Sequence, residues 1–370
     1  MATQSTFKTV NVLGFAGNEG VGTTFNVTIT FAQLISLFEV HQCESDDERL
    51  QRELTKSRHK NITDYLVNRD DTVFPQLTAF FTNQVNVKPV SITGAKLASL
   101  TLSSDAERML VDGQGRLVGT DGALAERPEL ATRTVDIKII LANGPTLLED
   151  ASRIRQVFTD YHKNVVKTNS SINLFFDSSE MSSRFVVDAL EALEKANCTL
   201  SQHVARDGRT THIYTLAQFK TFLRVFMAKT DSQINAEFQD EQLRTMWLSL
   251  IVDFARQIES LFPVFSDASS GRITNKEAKE DSILCCAIGL EALGRVGNLV
   301  IDNSIKSSVK PDFTILEPLV EMDMSRMAPH WQGKVMMDKK IIKGSARTLA
   351  MKLAVKAQLQ MTEEFMGIAA

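Results

Sequence analysis

Apolar and polar residues alternate through Phe25, Asn26, Val27, Thr28 and Ile29, the period of two that gives a strand one buried face. A short helix is predicted over 31–40, and a longer one over 46–68 whose first turn Asp46 or Asp47 can cap. Pro75 forbids a helix through 73–81, so that stretch reads as extended chain and then strand. Further strands are predicted over 85–90, 107–111 and 134–141. From about residue 147 the pattern turns helical. Amphipathic helices are predicted over 147–161, 179–195, 215–227, 240–262, 276–301 and 345–367, with loop signals at 267–271 and 306–308. The chain therefore reads as α+β: a mixed-sheet α/β domain over 1–175, then a mostly α-helical domain over 176–370.

Composition narrows the class without naming a function. A chain of 370 residues, 43% hydrophobic and 23% charged, has the make-up of a soluble globular protein. No run reaches the roughly 18 apolar residues that span a bilayer. The first five residues lack the basic and apolar regions of a secretory signal, so a cytoplasmic protein without a membrane partner is expected. Cys43, Cys198, Cys285 and Cys286 have no CxxC spacing and no nearby histidine pair, which speaks against a zinc site. Cys285 and Cys286 lie in an apolar run and are expected to pack as small hydrophobes, leaving Cys43 as the candidate reactive thiol. With a net charge of −4, any nucleic-acid contact must come from a local patch.

The candidate chemistry sits where the 107–111 strand runs into Asp112, Gly113, Gln114, Gly115 and Arg116 and a helix follows. A helix that opens on a glycine turn presents unpaired N–H groups and the positive end of its dipole, which suits a phosphate. Gly113 and Gly115 allow positive φ and close approach of a ligand, and Arg116 offers a planar fork for two phosphate oxygens. Asp112 can cap the helix, orient Arg116, or contact a metal or a ribose hydroxyl. Arg58 falls in the apolar stripe Leu50, Leu54, Ile62, Leu66, where a cation needs an anion or a carboxylate. It either snorkels or pairs with an aspartate such as Asp112, or it converges with Arg116 on one phosphate.

Four segments in order resemble the DGQHR family, and within it the DndB proteins. They are 58–66 with 73–79, the 111–117 motif, 158–163, and the Trp331-centred segment 330–336. That resemblance implies a core similar to the ParB/sulfiredoxin-like fold, with a phosphate or a nucleotide at the turn. It also implies a setting in DNA phosphorothioation, as a repressor of the modification genes. Two positions depart from the family: Gly115 stands where a histidine is usual, and His162 where an asparagine is usual. Loss of the imidazole removes a proton shuttle from the turn, although His162 can compensate by folding over it.

Two basic clusters are candidates for DNA. The first is Arg49, Arg52, Lys56, Arg58, His59 and Lys60, interrupted by acids. The second is Lys334, Lys339, Lys340, Lys343, Arg347, Lys352 and Lys356, with Asp338 the one acid among them, and it suits phosphate-backbone contacts. The leading reading is a DNA-binding regulator. A nucleotide hydrolase or phosphoryl-handling enzyme built on the turn is the second. The third is a scaffold whose helical half, through Leu243, Trp247, Leu248, Ile251 and Phe254, docks onto the modification enzymes or onto another copy in a homo-oligomer.

Overall fold

Among the described residues, seven strands and four α-helices form the first of two compact units, residues 1–166 and 167–370. The computed structural model describes residues 9–39, 56–82, 85–92, 94–103, 106–163, 168–208, 211–337 and 340–366, and for 56–58, 92, 95 and 364 the backbone alone. Cys43, Arg49, Arg52 and the Asp46/Asp47 cap lie outside the described residues.

In chain order the first unit runs β1 (Thr9–Glu19), β2 (Gly22–Thr30), α1 (Phe31–Leu37), α2 (Lys56–Asn68), β3 (Leu77–Phe81), β4 (Asn86–Ile92), β5 (Ala95–Ser103), β6 (Arg108–Asp112), α3 (Gln114–Glu126), β7 (Thr134–Leu141) and α4 (Ala151–Lys163). The strands make one mixed sheet in the order β4-β5-β1-β2-β7-β3-β6. Only β3 and β7 pair in parallel; the remaining neighbours are antiparallel.

Alternation decides which face is covered. Phe25, Val27, Ile29, Val135, Ile137, Ile139, Leu77 and Ala79 point to one side and bury against Leu34 of α1, Leu66 of α2 and Leu117 of α3. On the other side Phe80, Met109, Val111 and Ile140 pack with Ile154 of α4. That second face also carries a polar row, Asn26, Lys138, Thr78 and Asp112, one residue from each of four adjacent strands, and beyond it Leu13 and Phe15 of β1 are exposed.

α2 and α3 run alongside each other in the same direction. A Cβ at Gly119 would meet Ile62 and the His59 carbonyl, one at Gly122 would meet Thr63, and Arg127 donates to the Val67 carbonyl at 3.0 Å. Contacts that advance together along both helices set the backbone of Arg58 level with the first turn of α3.

The second unit contains α5 (Ser170–Phe176), α6 (Met181–Lys195), β8 (Val204–Ala205), β9 (Tyr214–Thr215), α7 (Leu216–Met227), α8 (Asp231–Glu237), α9 (Glu241–Leu261), α10 (Val264–Ser269), α11 (Asn275–Asp281), α12 (Ala287–Lys306), β10 (Met336–Met337), β11 (Lys340–Ile341), α13 (Ala346–Lys356) and α14 (Glu363–Met366). α5 packs on α6 and α7, so this unit begins before residue 175. α9 buries Trp247, Ile251 and Phe254 in the core, and Leu243 and Leu248 pack against it. The helix predicted over 276–301 is two helices. Ser282 bridges Ser325, and the Ile283 N–H donates to the Met324 carbonyl, so the chain leaves the helix there and residues 282–285 are buried. Cys286 then caps α12, its sulfur accepting from the Gly289 N–H at 3.3 Å. Likewise 345–367 breaks after Lys356, and the loop signal at 267–271 falls partly inside α10. Burial pushes the Cys285 thiol up to about 12, in keeping with a packing role.

One buried base gives the second unit a pH dependence. His203 is 2% exposed, its Nε2 donates to the Phe265 carbonyl at 2.8 Å, and burial holds its pKa below the ordinary 6.5. Below pH 6.5 the unfolded chain takes up a proton that the folded chain resists, so this group's stabilisation is complete above that pH and lost as the solution is acidified. The urea midpoint is expected to fall between pH 7 and pH 5, and His203→Gln to flatten that part of the curve. An equal slope in the variant would assign the effect to other groups.

Candidate functional site

The turn is built by a glycine and a bulge. Gly113 has φ 116° and ψ 6°, a conformation that L side chains rarely adopt, and it lets the strand reverse directly into α3. Gly115 lies inside the helix and is not among the positive-φ glycines. Register shifts between Thr78 and Ala79, whose partners are Asp112 and Leu110, so Val111 is the extra residue and Asp112 joins the polar row of Thr78.

α3 starts without a side-chain cap and without an acid in its first turn. Its first intrahelical bond runs from the Leu117 N–H to the Gly113 carbonyl at 2.9 Å. The N–H groups of Gln114, Gly115 and Arg116 therefore have no acceptor within the helix. Gln114 is 7% exposed, and its Nε2 is buried without a hydrogen-bond partner among the described residues. Unpaired backbone donors beside an unpaired amide donor are the groups that an anion would require.

Arg116 does not hold its fork open. Its NH2 group pairs with Asp112 Oδ2 at 2.7 Å and its NH1 donates to the Pro75 carbonyl at 2.5 Å, with the side chain 15% exposed. Of the three roles open to Asp112, orienting Arg116 is the one its geometry serves. The guanidinium braces the turn against the chain entering β3, its charge matched by Asp112. Arg58 lies on α2 at the same level, with its side chain outside the described residues.

His162 is on α4, exposed and stacked on Phe158 of its own helix at 4.2 Å, with Nδ1 donating to the Phe158 carbonyl. No hydrogen bond or ring contact joins it to the turn among the described residues. Its neighbour Tyr161 does reach the polar row, its hydroxyl 3.2 Å from Thr78 Oγ1. Lys138, in the same row, is bridged to Glu19 at 2.8 Å; hydrogen bonding to that carboxylate, more than its charge, raises the ammonium pKa. Nothing in the local pattern marks Thr78, Lys138 or Tyr161 as site residues. Each falls in a predicted strand or helix, and only strand pairing and the packing of α4 bring them beside the motif.

The described C-terminal cations divide into four settings. A tight hairpin of β10 and β11, closed by the Ile342 N–H on the Val335 carbonyl at 2.8 Å, carries Lys340 on β11 and Lys334 and Lys343 at its two ends. These three lysines are exposed and have no ion pair among the described residues. Lys352, on α13, lies 5.8 Å from the centre of the Trp331 ring, and burial, then the charge of Lys334, holds its pKa down. Lys356 is tied to Glu321 at 2.6 Å, and Arg347 lines a separate cleft with α7 and α12. Lys339 lies outside the described residues.

Among the described residues no cluster of histidine, cysteine or acidic side chains could hold a metal, and no helix is long and apolar enough to cross a membrane. Comparison with curated proteins and with solved structures gives no significant match. Residues 13–362 match the DndB family, described as DNA-sulfur modification-associated. That match covers nearly the whole chain, including the turn, the polar row and the basic hairpin, and the protein therefore belongs to the DndB family.

Proposed function

We propose that this protein is a DNA-binding transcriptional regulator, a repressor, of a DNA phosphorothioation gene cluster. The observation that carries the reading is the group Lys334, Lys340, Lys343 and Lys352, gathered on one hairpin and the adjoining helix, with no carboxylate paired to any of them among the described residues. Four cations so placed suit consecutive phosphates of a duplex, each neutralised phosphate releasing counterions. The family supplies the setting, DNA sulfur modification.

Titration of the full chain against the DNA upstream of its own gene, with a scrambled duplex as control, tests the proposal. Tighter binding to the upstream DNA is expected. The triple variant Lys334→Gln, Lys340→Gln, Lys343→Gln should weaken both duplexes by about tenfold or more and flatten the salt dependence by roughly one unit of log–log slope for each lysine replaced. Equal, weak binding to both duplexes would remove the regulatory reading. An unchanged slope in the variant would remove the hairpin from the interface.

A phosphoryl-handling activity at the turn is a second reading. It is favoured by the unpaired N–H groups of α3 beside the buried Gln114 amide. The turn itself offers no acid or base other than Asp112, which is engaged with Arg116.

A further inference from the structure

On its second face the sheet is covered by α4 at the β7, β3 and β6 end, where Ile154 packs with Ile140, Phe80 and Met109. Toward the other end β1 presents Leu13 and Phe15, 63% and 62% exposed. They stand two residues apart on one strand and so share this face. The register carries the patch sideways. Phe15 lies beside Leu97 of β5, and Leu97 beside Val90 of β4, both half-buried. Asn11, Ser99, Asn26 and Thr28 rim this apolar strip. A contiguous apolar patch with a polar rim marks an interaction surface, where single scattered side chains would not.

The charges on either side of Leu13 have opposite sign. Toward β4 come Ser99 and then Lys88; toward β2 come Thr28 and then Asp136. Lys88 and Asp136 are exposed, and neither has an ion pair among the described residues; Asp136 accepts from Thr28 Oγ1 at 2.6 Å. Each stands two strands from β1, about 10 Å at the usual strand spacing. Lys138, the next cation on this face, is matched by Glu19. A two-fold axis parallel to β1 exchanges the two sides. Lys88 of one copy then faces Asp136 of the other, and the pair occurs twice. An axis across the strands at Leu13 would instead set Lys88 against Lys88. Opposite charges equidistant from an apolar centre are what an isologous contact requires, since the patch must meet itself.

We propose that this face is the interface of a homodimer, two sheets packed face to face about an axis along β1. Leu13 and Phe15 lie at its centre, with a Lys88–Asp136 pair on each side. Sheets pack in this way about 10 Å apart, their strands within about 30° of each other. α4 stands in the layer that the second sheet would enter, so the overlap ends at β7 and spans β4, β5, β1, β2 and β7. Five strands about 4.8 Å apart make a small interface, and association in the micromolar range is expected. The apolar set of α9 offers no rival surface, because Trp247, Ile251 and Phe254 are buried in the core of their own unit.

Sedimentation equilibrium of the full chain from about 1 to 100 µM tests this. A monomer–dimer equilibrium is expected. Leu13→Gln with Phe15→Gln should weaken it by about tenfold or more, and so should Lys88→Glu or Asp136→Lys alone, each variant checked by circular dichroism for an intact fold. Lys88→Glu combined with Asp136→Lys should restore the dimer, because reversed pairs again face each other. A role confined to one chain gives no such rescue. Three results would overturn the proposal: a monomer throughout the range, which leaves the face to a different partner; a dimer untouched by the Leu13 and Phe15 substitutions; or no recovery in the charge-reversed double variant. The measurement needs no DNA, so its failure and that of the upstream-DNA titration are separate.

Discussion

Replacing Gly113 with alanine is expected to destabilise the first unit by about 3 kcal/mol, from backbone strain and overpacking together. The φ of 116° is one source, since an L residue there is strained whatever space surrounds it. Leu77 is the other. A Cβ at Gly113 would lie 2.5 Å from Leu77 Cδ2, and Leu77 is fully buried between the sheet and its helices, with nowhere to retreat. Urea unfolding of Gly113→Ala, Leu77→Ala and the double variant separates the two sources. The clash with Leu77 should appear as a positive coupling in the cycle, with the strain left over in the double variant. A change below about 1 kcal/mol in Gly113→Ala would mean that the turn tolerates a side chain, and the geometry assigned to it would be wrong. The same substitution displaces Asp112 and Arg116, so any anion affinity of the turn should fall with it.

Trp331→Ala is expected to cost the second unit about 3–5 kcal/mol, as for other large buried aromatics. The ring is fully buried, and its Nε1 donates to the Asp323 carbonyl at 3.1 Å, holding the segment that leads into the basic hairpin. Lys352 lies over the same ring. Trp331→Phe should keep most of the packing and lose about 1 kcal/mol with the hydrogen bond. The informative pair of measurements is the unfolding midpoint and the salt slope of DNA binding. If Trp331 organises the lysine surface, Trp331→Phe keeps the slope while Trp331→Ala lowers it at temperatures where the fold persists. A full slope in a folded Trp331→Ala protein would confine the residue to stability.

Local pattern carried a good part of the architecture. The strand predicted over 134–141 has those bounds, because the alternation from Thr134 to Ile139 leaves one register with Val135, Ile137 and Ile139 inward. The helices over 215–227 and 240–262 are found within a residue, each opened by an oxygen-bearing cap, Thr215 and Asp240. The strand, turn and helix around Gly113 were legible for the same reason: glycine conformational freedom and apolar period are properties of neighbours in sequence. β1 and β5 were not legible. Their outer faces carry Leu13, Phe15 and Leu97 among polar residues, which blurs the alternation.

The sequence by itself determined the α+β order of elements, the glycine turn, and the abundance of cations near the C-terminus. Tertiary structure decided what those groups do. Arg116 could not be read as a brace until β3 placed the Pro75 carbonyl beside it, and Tyr161 could not be read as a neighbour of Thr78 until α4 lay across the sheet. The seven C-terminal cations looked like one patch because sequence distance is short along a hairpin and a helix. Side-chain direction separates them, sending Lys356 to Glu321 and Arg347 to a cleft shared with Arg224 and Arg295. Electrostatic partners and clefts depend on distances in space, which fall off within angstroms. Apolar periodicity is fixed by covalent geometry along the chain, and that is why one was readable in advance and the other was not.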